Sequence, residues 1–183
     1  MPLDKSRLLS LLEAVDAELK EGKDKSKKIT LVAAGGTAMT LLDLKPSTID
    51  IDFTGPHQDI VEFNRIQKGI PHGFKIDTWT DGMVFSQALP DDYLKKSIAI
   101  TTKLKRINLK ALHPVDIVVS KIGRLNERDI QDIQDCIRKF KLRKSQIAKR
   151  AGAVQYAGNE RVYADNLAYV LVSFFGTKSK VGP

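Results

Sequence analysis

Two stretches decide the predicted fold, LVAAGGTAM at residues 31–39 and STIDIDF at residues 47–53. The first belongs to an apolar strand predicted over 29–34, which runs into a tight turn at Gly35 and Gly36. A short helix is predicted over 37–43, and Pro46 prevents its continuation. The second stretch predicts a strand over 49–53. The chain therefore returns as a second strand, and this strand carries two aspartates.

Asp50 and Asp52 lie two residues apart on that strand. Side chains at positions i and i+2 of a strand point to the same face, so we expect the two carboxylates side by side. Ile49, Ile51 and Phe53 are then expected to face the core. Two like charges that close repel each other unless a hard cation such as Mg²⁺ lies between them. The pattern therefore predicts a magnesium site.

The Gly-Gly turn followed by Asp-x-Asp resembles the nucleotidyltransferase signature of the DNA polymerase β-like superfamily. The resemblance implies that Asp50 and Asp52 hold one or two Mg²⁺ ions and that an NTP is the substrate. It also implies that Gly35, Gly36 and Thr37 hold the nucleotide phosphates, because glycines let backbone N–H groups approach phosphate oxygens. Either motif alone is weak, and their ordered combination carries the interpretation.

By the same resemblance, a third carboxylate is expected from a later neighbouring strand. Asp77 is the first choice, since it lies in the alternating segment FKIDTW at residues 74–79. It would complete the metal site or accept the proton of the attacking hydroxyl. Asp81 is the second choice, although its place before Gly82 is typical of a turn. An ordinary solvent-facing acid is the alternative interpretation of Asp77.

The stretch SKIGRLNERDIQDI at residues 120–133 resembles the Lys…Arg-Asp-x-x-Asp stretch of a narrower group. That group comprises nucleotidyltransferases of the abortive-infection toxin type and their uncharacterised relatives. The resemblance places Lys121 near the triphosphate and makes Asp129 its supporting acid. An unbroken helix would put Lys121, Arg124 and Arg128 on one face. The alternative is a salt-bridged helical hairpin with a purely structural value.

One position departs from the narrower group, whose members often carry an arginine shortly before Thr-x-Asp-x-Asp. This chain has Lys45 there, and lysine keeps the charge but not the bidentate fork. Lys45 and Thr48 are nonetheless predicted to bind the nucleotide. Thr48 would bond a phosphate or a metal-bound water, with an ordinary strand position as the alternative.

The whole pattern predicts an α+β fold, a nucleotidyltransferase-like mixed β-sheet flanked by helices, with a C-terminal helical bundle. We predict a nucleotidyltransferase core over 1–112 and a helical region over 113–183. The first helix is predicted over 4–21, with Asp4 as its cap and Gly22 at its end. Further elements are a polar loop over 23–28, a helix over 59–68, a strand over 74–79, a strand hairpin over 98–112 and helix breaks near Asn126, Leu142 and Gly158.

The chain has 183 residues and a formal net charge of +8 at pH 7. Basic residues cluster over 20–28, 95–110 and 138–150, which favours a polyanionic partner, most plainly RNA. The alternative is a basic surface without a nucleic-acid role, because the clusters lack interleaved aromatics. Cys136 is the only cysteine, which excludes an internal disulfide. No apolar run is long enough to span a bilayer and no signal-peptide pattern is present, so we expect a cytoplasmic protein without a membrane partner.

These observations predict an enzyme that moves a nucleotidyl group from an NTP to an acceptor hydroxyl, on an RNA such as tRNA or on a protein. By the resemblance, the setting is a toxin–antitoxin or defence system, with a partner antitoxin or a homo-oligomer. Two alternatives stay open: a non-catalytic antitoxin or RNA-binding module of this fold, and a small-molecule adenylyltransferase of the antibiotic-modifying type. A basic concave surface beside the acids would favour RNA, and a closed neutral or acidic pocket would favour a small aminated substrate.

Overall fold

The computed structural model describes residues 2–22 and 26–176 and has the predicted α+β fold. Three of the residues predicted as a polar basic loop, 23–25, lie outside the described part. The elements, in chain order, are β1 (Leu3–Asp4), α1 (Lys5–Glu21), β2 (Ile29–Ala33), α2 (Gly35–Leu41), β3 (Ser47–Thr48), β4 (Ile51–Thr54), α3 (His57–Gln67), β5 (Ile76–Thr78), β6 (Met83–Val84), β7 (Gln87–Ala88), α4 (Tyr93–Lys96), β8 (Ile98–Ala99), β9 (Ile107–Ala111), α5 (Pro114–Ile122), α6 (Glu127–Phe140), α7 (Lys144–Ala151), β10 (Gln155–Tyr156) and α8 (Glu160–Phe175).

The central sheet has five strands in the order β5-β4-β2-β9-β8. Strand β2 runs parallel to β9 and antiparallel to β4, while β4 runs parallel to β5. Strand β8 pairs antiparallel with β9, as the predicted hairpin requires. The sheet is therefore mixed, and β4 brings Asp52 between β2 and β5.

Helix α1 forms as predicted because its apolar residues recur at helical spacing and pack into the core. The side chain of Asp4 caps it by accepting the Arg7 N–H at 2.9 Å. Asp16 lies on its buried face, where Oδ1 accepts the backbone N–H groups of Arg106 at 2.6 Å and Ile107 at 3.1 Å. This carboxylate ties the first helix to the start of β9.

The segment before β4 corrects one prediction. Ile49 was expected to face the core, but it is 65% exposed, whereas Ile51 and Phe53 are fully buried. The strand begins only at Ile51, so Asp50 lies in a bend outside it. Strand alternation does not apply in a bend, and the two aspartates are therefore not partners on one strand face.

The C-terminal helices break near Asn126 and Leu142, as the sequence predicts, whereas the break predicted near Gly158 begins earlier, after Ala151, and contains β10. His113 caps α5, since its Nδ1 accepts the Val115 N–H at 3.2 Å, and Asn126 caps α6. Every residue of α5 is buried. The pairing of β10 with β7 was not predicted, and it joins the helical region to the chain before residue 112. Among the described residues, none of the helices is both long and apolar enough to cross a membrane.

Candidate active site

The glycine turn makes room for a carboxylate. Gly35 has φ +50°, a left-handed conformation that favours glycine. A methyl group on Gly35 would lie 2.5 Å from Asp52 Oδ2 and 3.1 Å from the Phe85 ring. A methyl group on Gly36 would lie 2.5 Å from the hydroxyl oxygen of Thr48. Both glycines are thus needed for the close approach of α2 to the segment that carries the acids.

Threonine hydroxyls fix the bend that precedes β4. Thr37 on α2 donates to the Asp50 carbonyl oxygen at 3.1 Å and accepts the Asp52 N–H at 2.9 Å. Thr48 donates to the same carbonyl oxygen at 3.0 Å. The side chains of Thr37 and Thr48 are therefore occupied in positioning Asp50 and Asp52, which leaves the backbone of the turn as the predicted phosphate contact.

Asp52 and Asp77 lie side by side on parallel strands. The register of β4 and β5 pairs Asp52 with Asp77, and neighbouring strands lie about 4.8 Å apart. Asp52 is 7% exposed, and its pKa rises to about 6 because of burial first and then the charges of Asp77 and Asp50. Lys121 and Arg124 offset part of this rise. Asp77 instead has a partner, since Lys75 Nζ lies 2.6 Å from its Oδ2.

This donor set fits a magnesium ion only in part before substrate binds. Within residues 2–22 and 26–176, no group of three or more His, Cys, Asp or Glu side chains is gathered as a ready metal site. Magnesium, however, is usually bound by one or two carboxylates together with substrate phosphates. The buried charge of Asp52, raised in pKa beside Asp77, provides such a ligand. Asp52 and Asp77, paired in register, are therefore the carboxylates that fit the partial ligand set of Mg²⁺, and Asp50 lines the same cavity from the bend.

Five alternating charges line up across the helices beside the acids. Lys121 on α5 contacts Asp129 Oδ1 at 3.1 Å and Asp132 Oδ2 at 2.7 Å, both on α6. Arg124 also contacts Asp129 Oδ1, at 3.0 Å, and Lys45 contacts Asp132 Oδ1 at 2.5 Å. We call this set, Arg124–Asp129–Lys121–Asp132–Lys45, the charge row. Its three inner members are buried, with side chains 3% exposed.

The helix break before α6 explains why Asp129 can be buried. The chain turns at residues 123–126, so Lys121 and Asp129 meet across two helices. Arg124 meets Asp129 from the turn and also lies over the Phe85 ring, 4.4 Å from its centroid. Lys121, Arg124 and Arg128 therefore do not share the face of one helix, as an unbroken helix would have required.

A cavity of about 660 Å³ joins the acids to the charge row. Gly35 and Thr37 lie behind its wall and act on it through Asp52 and Asp50. The second choice for the third carboxylate, Asp81, is an exposed turn residue that accepts the His57 N–H and does not line this cavity. The predicted site residues that do line it are Gly36, Lys45, Thr48, Asp50, Asp52, Asp77, Lys121 and Asp129.

Sequence reasoning missed three residues of this site. Asp132 is one helical turn after Asp129, and the second acid of Arg-Asp-x-x-Asp was the available signal. Arg124 was noted only as a face-sharing cation. Phe85 had no signal, because its position depends on a backbone φ of +53° in the β6–β7 turn.

The single cysteine, Cys136 on α6, lies close to the charge row. It is fully buried, and its pKa is raised to about 12 by burial, while the charges of Lys121 and Asp132 act on it in opposite directions. A thiol with such a pKa is inert as a nucleophile at neutral pH. Cys136 therefore packs in the core and takes no part in the site's chemistry.

Comparison with known proteins identifies the family of the chain. No curated protein sequence matches the chain significantly. Among solved structures, the chain is similar to the crystal structure of an antigenic nucleotidyltransferase-like protein from Paracoccidioides brasiliensis, with a TM-score of 0.47, 14% identity, and 96% of this chain and 99% of that chain covered. The model of the family described as "Nucleotidyltransferase of unknown function (DUF6036)" matches residues 10–170. That match contains the glycine turn, the aspartates and the charge row, and the chain therefore belongs to this family of nucleotidyltransferases of unknown function.

Proposed function

We propose that the protein transfers a nucleotidyl group from an NTP to an acceptor hydroxyl in a Mg²⁺-dependent reaction. One observation carries the proposal: β4 and β5 place Asp52 and Asp77 in register at a cavity that Gly36 and Lys121 also line. The family match supports the class of activity. The two carboxylates are neighbours because of the strand pairing, and a buried acid with a raised pKa beside a cavity is typical of a functional site.

The acids are assigned to metal binding. Asp50, Asp52 and Asp77 would hold one or two Mg²⁺ ions, which when bound neutralise charge on the NTP phosphates and on the leaving pyrophosphate. Asp52 is the buried ligand and is ionised above pH 6. Asp77 is the more exposed acid and would accept the proton of the acceptor hydroxyl after Lys75 releases it.

The glycine turn beside Asp52 and the nearby Lys121 are assigned to the nucleotide. Gly36, which lines the cavity, would hold a phosphate through its backbone amide, while Gly35 and Thr37, also predicted to bind phosphate, would support the turn from behind the wall. Lys121 contributes a positive charge that already acts on Asp52. Asp129 orients Lys121, and no proton transfer is required of either residue.

RNA is the acceptor that the charge distribution supports best. The cations at the mouth of the cavity, Lys75, Arg124 and Arg128, are exposed, whereas Asp52, Asp129 and Asp132 are buried. With a net charge of +8, this favours a phosphodiester acceptor such as tRNA over a small aminated compound. A toxin–antitoxin or defence role, with a partner antitoxin or a second copy of the chain, is the biological hypothesis that the stretch at residues 120–133 supports.

A label-transfer assay tests the proposal. The protein is incubated with each radiolabelled NTP, Mg²⁺ and total RNA or cell lysate, and the same is done for Asp52→Asn and for the matched control Asp81→Asn. We expect transfer by the wild type and by Asp81→Asn, none by Asp52→Asn, and none after chelation of the metal.

Each other result contradicts part of the proposal. Equal transfer by the wild type and Asp52→Asn would place the chemistry elsewhere. Transfer only to a small amine-containing compound would replace the RNA acceptor. No transfer with any NTP, in the presence of RNA and of lysate, would favour the non-catalytic module.

A further inference from the structure

The charge row raises a question about which cation touches a phosphate. Lys121, the centre of the row, is 3% exposed and is already held by two carboxylates, at 3.1 and 2.7 Å. To reach a ligand in the cavity, it would have to give up both contacts and leave the buried Asp129 and Asp132 with only Arg124 and Lys45 as partners, which is costly. The position of Lys121 is therefore that of a support, not of a contact.

We propose that the two ends of the charge row, Arg124 and Lys45, bind the triphosphate of the NTP, and that Lys121 is a positioning residue that acts through them. This inference rests on the proposed function, because it names the groups that hold the substrate of that same site. Arg124 and Lys45 have side chains 48% and 30% exposed and both line the cavity.

The side chain of Arg124 is fixed by two contacts and still has N–H groups that can bind a ligand. One of its N–H groups reaches Asp129 at 3.0 Å, and its guanidinium lies on the Phe85 ring. A guanidinium has five N–H donors, so four remain for phosphate oxygens. Because the ring and the aspartate already restrict the side chain, less conformational entropy is lost when a ligand binds.

Lys45 is held in the same way at the other end. Its ammonium lies 2.5 Å from Asp132 Oδ1. An ammonium has three N–H donors, so two remain for phosphate oxygens beside this ion pair. The row thus presents two cations that enter the cavity from different parts of the chain, the segment before β3 and the turn before α6.

Lys121 sets the charge of the row. Three cations and two acids leave the row with a net positive charge. Without Lys121, the two buried acids would be balanced only by Arg124 and Lys45, and would draw these cations away from a ligand. A buried lysine would in this way determine the affinity of a site that it does not touch.

Binding of inorganic tripolyphosphate in the presence of Mg²⁺ tests the inference by calorimetry, because this probe does not depend on the base. We expect Arg124→Gln and Lys45→Gln each to weaken binding about tenfold or more, the usual effect of losing a charge-assisted hydrogen bond. Arg128→Gln is the matched control. It removes the same charge from the same cavity, but in the described part of the chain Arg128 forms no ion pair with a member of the charge row, and we expect a change below about threefold.

A mutant cycle tests whether Lys121 acts through Arg124 and Lys45 or contacts the ligand itself. Lys121→Gln alone should weaken tripolyphosphate binding, but it should have no further effect when Arg124 and Lys45 are already glutamine. A further loss in that background would make Lys121 a direct ligand and would overturn its positioning role. Thermal unfolding of each variant verifies that the binding data come from folded protein.

Four further outcomes would contradict the inference, the proposed function or both. Equal losses for Arg124→Gln and Arg128→Gln would show general electrostatic attraction and overturn the inference. So would a wild type that binds NTPs with Mg²⁺ while Arg124→Gln and Lys45→Gln bind equally well, although the proposed function would stand. If the losses occurred with a single-stranded oligonucleotide and not with tripolyphosphate, the row would belong to the acceptor. A wild type that binds neither NTP nor tripolyphosphate would overturn both proposals.

Discussion

The carboxylate of Asp52 has an electrostatic environment that opposes its ionisation. Its pKa of about 6, raised by burial and by Asp77 and Asp50, lies above the value of about 3.9 for an unfolded chain. A raised carboxylate pKa favours the folded state below the unfolded value, and this contribution is lost as the pH rises through the folded value. At neutral pH the ionised side chain is therefore a cost to stability that metal binding would relieve.

Substitution of Asp52 should remove this destabilisation of the folded state. We expect Asp52→Asn to be more stable than the wild type at pH 8, and its advantage to grow by about 1 kcal/mol between pH 5 and pH 8. Urea unfolding in the absence of metal measures both values. Added Mg²⁺ should stabilise the wild type and leave Asp52→Asn unchanged. An advantage that does not depend on pH would contradict the raised pKa.

Single residues of the site could be predicted where a motif fixes their neighbours. Asp52 and Lys121 were found because a spaced pattern surrounds each of them, and the structure brings both to one cavity. Ile49 was placed wrongly, because strand alternation was extended into a bend that two threonine hydroxyls hold. Phe85 was missed, because only the folded chain shows that its ring lies beneath Arg124.

At the scale of elements, α2 carries two buried threonines in different environments. The hydroxyl of Thr37 bonds Asp50 and Asp52, while that of Thr40 is buried without a hydrogen-bond partner in the described chain. A buried backbone group that loses its partner costs about 1–3 kcal/mol. The two side chains therefore offer a comparison within one helix.

We expect Thr37→Val to destabilise the protein by about 1–3 kcal/mol, since the Asp52 N–H would lose its acceptor. The matched variant Thr40→Val should be neutral or stabilising, because it removes an unpaired hydroxyl. Chemical denaturation of both variants measures the difference. Equal effects would mean that the hydroxyl of Thr37 does not hold the bend.

The elements that the sequence predicted are those with a repeating pattern. Helix α1 has apolar residues at helical spacing and a polar cap, so both its ends were predicted within a residue. The two-residue strands β6, β7 and β10 are too short to show alternation and form only because other parts of the chain pair with them. Helix α2 begins at Gly35, two residues before the prediction, because the glycines were assigned wholly to the turn.

For the whole molecule, α5 connects the two predicted regions. It is buried along its length, packs against α2 and against α6, α7 and α8, and its Ser120 carbonyl oxygen accepts the Gln87 side chain at 2.7 Å. The boundary at residue 112 remains a prediction about architecture. We propose that the parts on either side of it unfold together.

A chain that ends at residue 112 should therefore fail to fold, because it would expose the surface of α2 that α5 covers and leave β7 without β10. The intact protein should unfold in one transition by both circular dichroism and tryptophan fluorescence of Trp79. A folded fragment 1–112, or two separate transitions, would show that the regions are independent.

Because Cys136 is buried, its reaction with a thiol reagent reports local opening of the core. As the chain's only thiol, it can be trapped by an aromatic disulfide reagent only while the core around this part of α6 is open, so the trapping rate measures how often that region opens. Tripolyphosphate bound to the charge row should slow this rate without any change in the rate for an unfolded control. The rate of Cys136 modification would thus report the binding of a substrate at Arg124 and Lys45, although the substrate does not contact the thiol.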